Sequence, residues 1–319
     1  MMKRIVAMVL AVLMCATAMV GCVASQDDKY VVGICQLVQH DALDAATKGF
    51  KDALVEALGD KVVFDEQNAS NDSNACATII NSFVSKNVDL ILANATPALQ
   101  AAVSGTATIP ILGTSVTEYG VALEIKDFNG VPGGNVSGTS DLAPLDQQAQ
   151  MILDLFPDVK KVGLLYCSSE PNSQYQVKVV KEYLEGKGVE CKDFSFSDAN
   201  DLAVVTTSAC QYSDVIYVPT DNTVASSTGI IDGICRPAKV PIVAGEESTC
   251  KGCGVASLSI SYYELGRKTG EMAARILKGE ADISTMAIEY DENYKKKYNK
   301  EICDELGVNI PDGYEPIAN

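Results

Sequence analysis

Five polar, turn-rich segments carry most of the chemistry this chain could do. They are Gln36-Leu37-Val38-Gln39-His40, Asn94-Ala95-Thr96-Pro97, Thr114-Ser115-Val116-Thr117, Ser168-Ser169-Glu170-Pro171-Asn172-Ser173 and Pro219-Thr220-Asp221-Asn222. Each follows a short apolar run, and Glu246-Glu247 follows a sixth. Free hydroxyls and helix N-termini suit a carboxylate, so Thr96, Ser115 and Thr117 form one candidate group. Carboxylates suit an ammonium, so Asp221 and Glu246 or Glu247 form the opposite one. Together they would hold the two ends of an α-amino acid. Thr96, Ser173, Asp221 and Asn222 are also good helix N-caps, and capping alone would explain any one of them. What favours a ligand is the convergence of several such loops. Arg4, Arg236, Arg267 and Arg275 are the arginines, and none lies in these loops, which argues against a phosphate or dicarboxylate clamp. Leu37, Tyr119 and Tyr166 could wall an apolar side chain; Tyr166 suits a core equally well.

Catalytic alternatives are thin. His40 is the one histidine, and no Gly-x-Ser-x-Gly elbow, phosphate loop or dinucleotide fingerprint occurs. Cys250-Lys251-Gly252-Cys253 is a single Cys-x-x-Cys, open to reading as a redox pair, half a metal site or a turn disulfide. It has no second pair at zinc spacing. No enzyme, metal or cofactor is expected, and a secreted thiol oxidoreductase using Cys250 and Cys253 is the enzymatic alternative.

The elements that must position these loops alternate. Tyr30 to Cys35 reads as a buried strand, Asp41 to Leu58 as a helix, and Lys61 to Asp65 as a strand. The pattern continues through helix 71–85, strand 88–93, a helix opened by Thr96-Pro97, and strand 109–112. After the turn-rich stretch 129–135 the alternation restarts and runs to strand 255–260 and helix 262–277. The parallel between Val88-Asp89-Leu90-Ile91-Leu92 and Ser213-Asp214-Val215-Ile216-Tyr217 is plain. The fold class is α/β, with two doubly wound parallel-sheet lobes whose strand ends face one another. Lobe 1 is expected over 29–139, lobe 2 over 140–260, and a return to lobe 1 over 261–319, with a tail helix from Glu292 to Leu306.

Composition bounds the setting. The 319 residues suit about two domains. With 25 basic and 42 acidic residues the net charge is −17, which argues against nucleic acid. Met1 to Val20 has a basic start and an apolar run short for a membrane span, and Gly21-Cys22 closes it. This reads as a lipoprotein signal peptide, 1–22, with Cys22 lipidated; that places the rest outside the cytoplasm, at the cell surface or in the periplasm. Nine cysteines remain beyond it, an odd number for an exported protein, and several lie in apolar runs where a free Cys packs as a small hydrophobe.

Longer stretches carry a family resemblance. Residues 39–50, Ala95-Thr96-Pro97-Ala98, 132–138, Glu170-Pro171-Asn172-Ser173, Pro219-Thr220-Asp221-Asn222-Thr223-Val224 and 262–267 resemble, in order, the substrate-binding lipoproteins of ABC importers in the tryptophan/aromatic amino-acid group. The resemblance implies a type I periplasmic binding protein fold, with a three-strand hinge between the lobes. It also implies a small solute held between them, an α-amino acid with an aromatic or large apolar side chain, and delivery of that solute to a permease and ATPase. It implies ligand roles for the loop around His40, for Thr96, Ser115 to Thr117, Asn172-Ser173 and Asp221. A monomer is expected. A sensor for another small solute or a peptide is the alternative. Thr117-Glu118-Tyr119 stands where relatives often carry a Thr-Asp-Pro-like turn.

Overall fold

The computed structural model describes residues 29–318. The expected leader and Cys22 lie outside the described residues. The first half alternates strand and helix: β1 (Tyr30–Gln36), α1 (Asp41–Leu58), β2 (Val62–Asn68), α2 (Ser73–Lys86), β3 (Leu90–Asn94), α3 (Thr96–Gly105), β4 (Ile111–Val116), the one-turn α4 (Tyr119–Ala122) and β5 (Val136–Ser140). The second half repeats the plan with α5 (Leu145–Leu155), β6 (Lys161–Cys167), α6 (Pro171–Gly186), β7 (Glu190–Phe196), α7 (Leu202–Tyr212), β8 (Val215–Val218), α8 (Asn222–Ala225), α9 (Thr228–Ala238), β9 (Ile242–Ala244), α10 (Glu247–Cys253) and β10 (Ala256–Ser259). Then follow α11 (Tyr262–Leu277), β11 (Glu289–Tyr290), β12 (Lys295–Tyr298), α12 (Lys300–Leu306) and β13 (Glu315–Pro316).

Two sheets result, in the orders β11-β5-β4-β3-β1-β2 and β13-β12-β10-β9-β8-β6-β7. All pairings are parallel except β10 with β12. The physical reason is in the strands. β3 and β4 are buried along their whole length, as parallel strands covered by helices on both faces must be, whereas edge strand β2 exposes several side chains. In this arrangement the loops after the strands' carboxyl ends lie at the switch between the two sheets.

The chain's tail departs from the expected single return over 261–319. α11 does go back to the first lobe, and β11 extends that sheet beside β5. β12 then crosses to the second sheet, where α12 and β13 also lie. Residues expected as a helix from Glu292 are therefore partly strand. The ladder to β10 and β13 outweighs the helix preference of the lysines, and Lys297 reaches Glu315 on the neighbouring strand at 2.9 Å. So three segments cross between the sheets, near Asp141, Ser261 and Asp291.

α11 closes the first lobe by packing on α1 with almost no side-chain spacer. A Cβ on Gly49 would run into the carbonyl oxygen of Tyr263, and one on Gly266 into that of Ala46. Both glycines let the two backbones touch. Gly266→Ala should push α11 off α1 and cost about 1–3 kcal/mol, the usual range for overpacking. A lowered thermal unfolding midpoint is the expected result; a midpoint equal to the wild type would contradict this account of the helix pair.

Candidate functional site

Between the lobes lies a small, largely closed cavity of about 10 Å³. His40, Leu43, Ser115, Thr117, Asp141, Asn172, Thr220, Asp221, Asn222, Ala225, Glu246 and Tyr262 line it. The structure thus brings together seven of the residues expected from sequence: His40, Ser115, Thr117, Asn172, Thr220, Asp221 and Glu246. Five lie elsewhere. Leu37 is buried in the core of the first lobe, and Gln39 is exposed. Thr96 is buried in the first turn of α3, and Ser173 is buried beside Asn172 and bonded to Asp221. Tyr166 is half-buried against the second lobe's core and lines a separate surface groove with Tyr175 and Val121.

Buried polar networks set the loops. At the end of β1, Gln36 donates to the carbonyl of Val38 at 2.9 Å and to Asp44 at 2.6 Å, and accepts from Thr47 at 2.6 Å. Asn94 donates to the carbonyl of Leu43 and to Thr47, both at 2.9 Å. These bonds pin the turn before α1. His40 occupies that helix's cap position, yet its side chain makes no capping bond and is left to face the cavity.

The end of β4 is bent by a register shift against β5 between Gly113 and Val116. Within it Ser115 has φ +54°, a left-handed conformation that a serine adopts at a cost. Its buried hydroxyl has no partner in the protein and lines the cavity. The strain therefore aims an unsatisfied hydroxyl at the space between the lobes.

Glu170 organises the opposite wall. It is buried, and its two oxygens accept from the backbone amides of Asn222 (3.0 Å) and Thr223 (2.9 Å) and from their side chains (2.7 and 2.8 Å). The one-turn α8 is held by this single carboxylate. Across the cleft, Asn71 then donates to Thr223 at 3.0 Å, and His40 Nε2 lies 3.4 Å from Asn222 Oδ1.

Three carboxylates and no lysine or arginine line the cavity. They are not equivalent. Glu246 caps α10, accepting from the amides of Ser248 at 2.6 Å and Thr249. Asp221 caps α8 through the Val224 amide at 2.9 Å, and its other oxygen takes the Cys167 amide at 2.7 Å. Burial first, and then the charge of Glu170, push its carboxyl above the ordinary range. Asp141 differs. One oxygen accepts from the Tyr262 hydroxyl at 2.8 Å, while the other is buried with no partner. Burial pushes this carboxyl up to about 6, although the bond from Tyr262 opposes the rise. Asn172 Oδ1 is also buried and unpartnered at this cavity.

The sequence reading missed Asp141, which falls where the first crossing leaves β5. The available signal was its place immediately after Ser140, between the turn-rich stretch 129–135 and the next helix, where the sequence reading placed no element. The Cys-x-x-Cys does not form a redox centre. Cys250 and Cys253 are both buried in α10, burial drives both thiols up, and the Cys253 thiol is spent on the Thr249 carbonyl. A thiol held protonated is a poor nucleophile.

The family model for ABC transporter substrate-binding proteins matches residues 31–316. The chain belongs to that family. It is a substrate-binding protein of an ABC transporter, not an enzyme, and such proteins work outside the cytoplasm. It is 36% identical over 308 residues to a tyrosine-binding protein of Clostridioides difficile, covering 91% of this chain and 89% of the relative. Among solved structures, an ABC domain from Streptococcus pneumonia in complex with L-Trp is 35% identical, with 91% and 100% of the two chains covered and a TM-score of 0.86. A ligand-free, open substrate-binding protein with adhesive properties from Clostridium difficile is 36% identical, covers 90% of this chain and 99% of its own, and scores 0.68. At near-equal identity, the chain superposes better on the liganded structure than on the open one. The His40–Asn222 and Asn71–Thr223 contacts across the cleft agree with a closed arrangement. A myo-inositol-bound solute-binding protein from Bacillus halodurans, at 14% identity and a TM-score of 0.61, shares the type I periplasmic binding fold alone.

Ser115 offers a test of function built from strain. Ser115→Gly relieves the left-handed φ and removes an unsatisfied buried hydroxyl, so stability should rise by roughly 1 kcal/mol. Ligand affinity, measured by calorimetry, should fall. A variant that is less stable, or that binds unchanged, would remove Ser115 from the site.

Proposed function

We propose that the protein captures one α-amino acid with an aromatic side chain in this cavity and presents it to an ABC permease. The observation that carries the reading is the unpartnered oxygen of Asp141 in a cavity without a cationic side chain. A buried carboxylate in that state needs a cation or a proton. The ligand's ammonium would bind Asp141 and Asn172 Oδ1, while its carboxylate would take the hydroxyls of Ser115 and Thr117. Leu43, Ala225 and the Tyr262 ring offer apolar surface for the side chain. Asp221 and Glu246 act mainly by capping the loops and adding negative potential, and His40, Thr220 and Asn222 close the wall. The space between the closed lobes, about 10 Å³, is far smaller than small-molecule sites of about 300–1,000 Å³, so an amino acid would enter with the lobes apart and hold the walls further from each other. The names of the tyrosine-binding relative and the L-Trp complex support the side-chain class.

The protein would work as a monomer tethered by lipid on Cys22, with residues 23–29 as the tether before β1. Stable anchoring takes about two acyl chains, which a diacylated cysteine provides.

Calorimetric titration with tyrosine, tryptophan, phenylalanine, tyramine and N-acetyltyrosine tests the reading. The three free amino acids should include the tightest ligand. Tyramine, without a carboxylate, should bind more weakly, and N-acetyltyrosine, without an ammonium, about 100-fold more weakly. No binding by any free amino acid, or equal binding by N-acetyltyrosine, would refute it.

The pH dependence has a definite sign. The Asp141 carboxyl titrates at about 6 when folded and near 3.8 when unfolded, so the folded state holds the extra proton between those values. Its contribution to unliganded stability is therefore lost as pH rises from about 4 to about 6. An ammonium binds the ionised form. Affinity for the amino acid should fall by up to tenfold per unit below about pH 6, with a shallower dependence near pH 8, where the raised Asp221 carboxyl titrates. Tyr262, Glu246, Asp221 and His40 share the cavity. An affinity that rises on acidification would contradict the assignment.

A further inference from the structure

The nine described cysteines are free thiols, but two of them are placed to react with each other. Cys210 near the end of α7 and Cys235 in α9 bring their sulfurs to 3.2 Å. The two helices pack side by side, so joining the sulfurs at about 2.0 Å needs a shift of only about 1 Å. Cys235 is buried, whereas Cys210 is half-buried and within reach of solvent. The remaining thiols lack this combination. Cys35 and Cys76 are neighbours but are both fully buried, as is Cys250. Cys167, Cys191, Cys253 and Cys303 spend their thiols on backbone carbonyls.

We propose that Cys210 and Cys235 form a disulfide in the exported protein. The family works outside the cytoplasm, where disulfides persist. The oxidant is an external disulfide of the thiol-exchange class. The Cys210 thiolate attacks one of its sulfurs, forming a mixed disulfide and releasing one thiol. Cys235 then gives up its proton and attacks the Cys210 sulfur, which forms the protein disulfide and releases the second thiol. Two protein S–H groups are oxidised, and one external disulfide is reduced to two thiols. The thiol–thiol bond to Cys235 lowers the Cys210 pKa, which favours Cys210 as the first attacker.

The crosslink would tie α9 to α7 and close a loop whose ends are 25 residues apart. That loop contains β8 and the turn Thr220–Ala225, part of the second lobe's contribution to the cavity. Constraining it restricts the unfolded chain and braces one wall of the site.

The test uses the full chain, first reduced and then equilibrated with oxidised glutathione, alkylated, and cleaved after Lys and Arg. The segment 193–239 survives intact because Pro237 follows Arg236, and it holds Cys210 and Cys235 and no other cysteine. The expected result is a segment two hydrogens lighter that is alkylated only after reduction. Cys210→Ser should abolish the mass loss, and Cys191→Ser should leave it in place. Alkylation of both thiols without reduction, glutathione resting on Cys210 without transfer, or linkage of either cysteine to a different one would overturn the proposal.

Discussion

The structure turns on one carboxylate. Asp141 sits where the first of three segments crosses between the lobes, and its bond from Tyr262 ties that crossing to the start of α11 beyond the second. Half of its acceptor capacity is met by the protein and half is not. The group is buried, and no lysine or arginine lines the cavity. Under those conditions a charge is costly unless a partner arrives from outside. A ligand amine in the cleft would supply that partner at the pivot of the two lobes. Binding and lobe closure then favour each other, because the ligand contacts both walls only when they meet. This is a shift between open and closed populations rather than a reaction.

The rest of the site is scaffolding of unusual cost. Ser115 holds a left-handed backbone, and Ala95, just before α3, has φ +92°. Both lie at the carboxyl ends of buried strands in the first lobe. In the second lobe a buried Glu170 gives up both oxygens to hold one turn of helix. Its charge adds to burial in pushing the neighbouring Asp221 carboxyl up. Such arrangements persist where surrounding packing over-determines them, and they concentrate where a site must be preformed.

Much of this was legible in the residues. The period-switching apolar pattern placed nearly every strand and helix up to Leu277, since buried parallel strands and amphipathic helices are distinct in sequence. α1 runs from Asp41 to Leu58 as expected. The loops after the strands were legible too, which is why His40, Ser115, Thr117, Asn172, Thr220, Asp221 and Glu246 meet at one cavity. Their roles were harder to read. A capping aspartate and an unpaired one look alike in sequence, and only the hydrogen bonds separate Asp221 from Asp141. Leu37 shares a loop with the cavity residue His40 but points into the core, and the whole Thr96 loop stays off the cavity. The tail failed because the identity of β12 depends on pairing with a strand almost forty residues earlier.

A thermodynamic cycle would test the central claim most directly. Its two legs are the substitution Asp141→Asn and the removal of the amino group from the ligand, comparing tyrosine with 3-(4-hydroxyphenyl)propionate by calorimetry above pH 7. If the ammonium completes Asp141, the substitution should weaken tyrosine by about 30-fold or more and leave the deaminated ligand nearly unaffected, a coupling of about 2 kcal/mol. Equal losses for the two ligands would mean that Asp141 does not meet the amine, and the account of this site would fail.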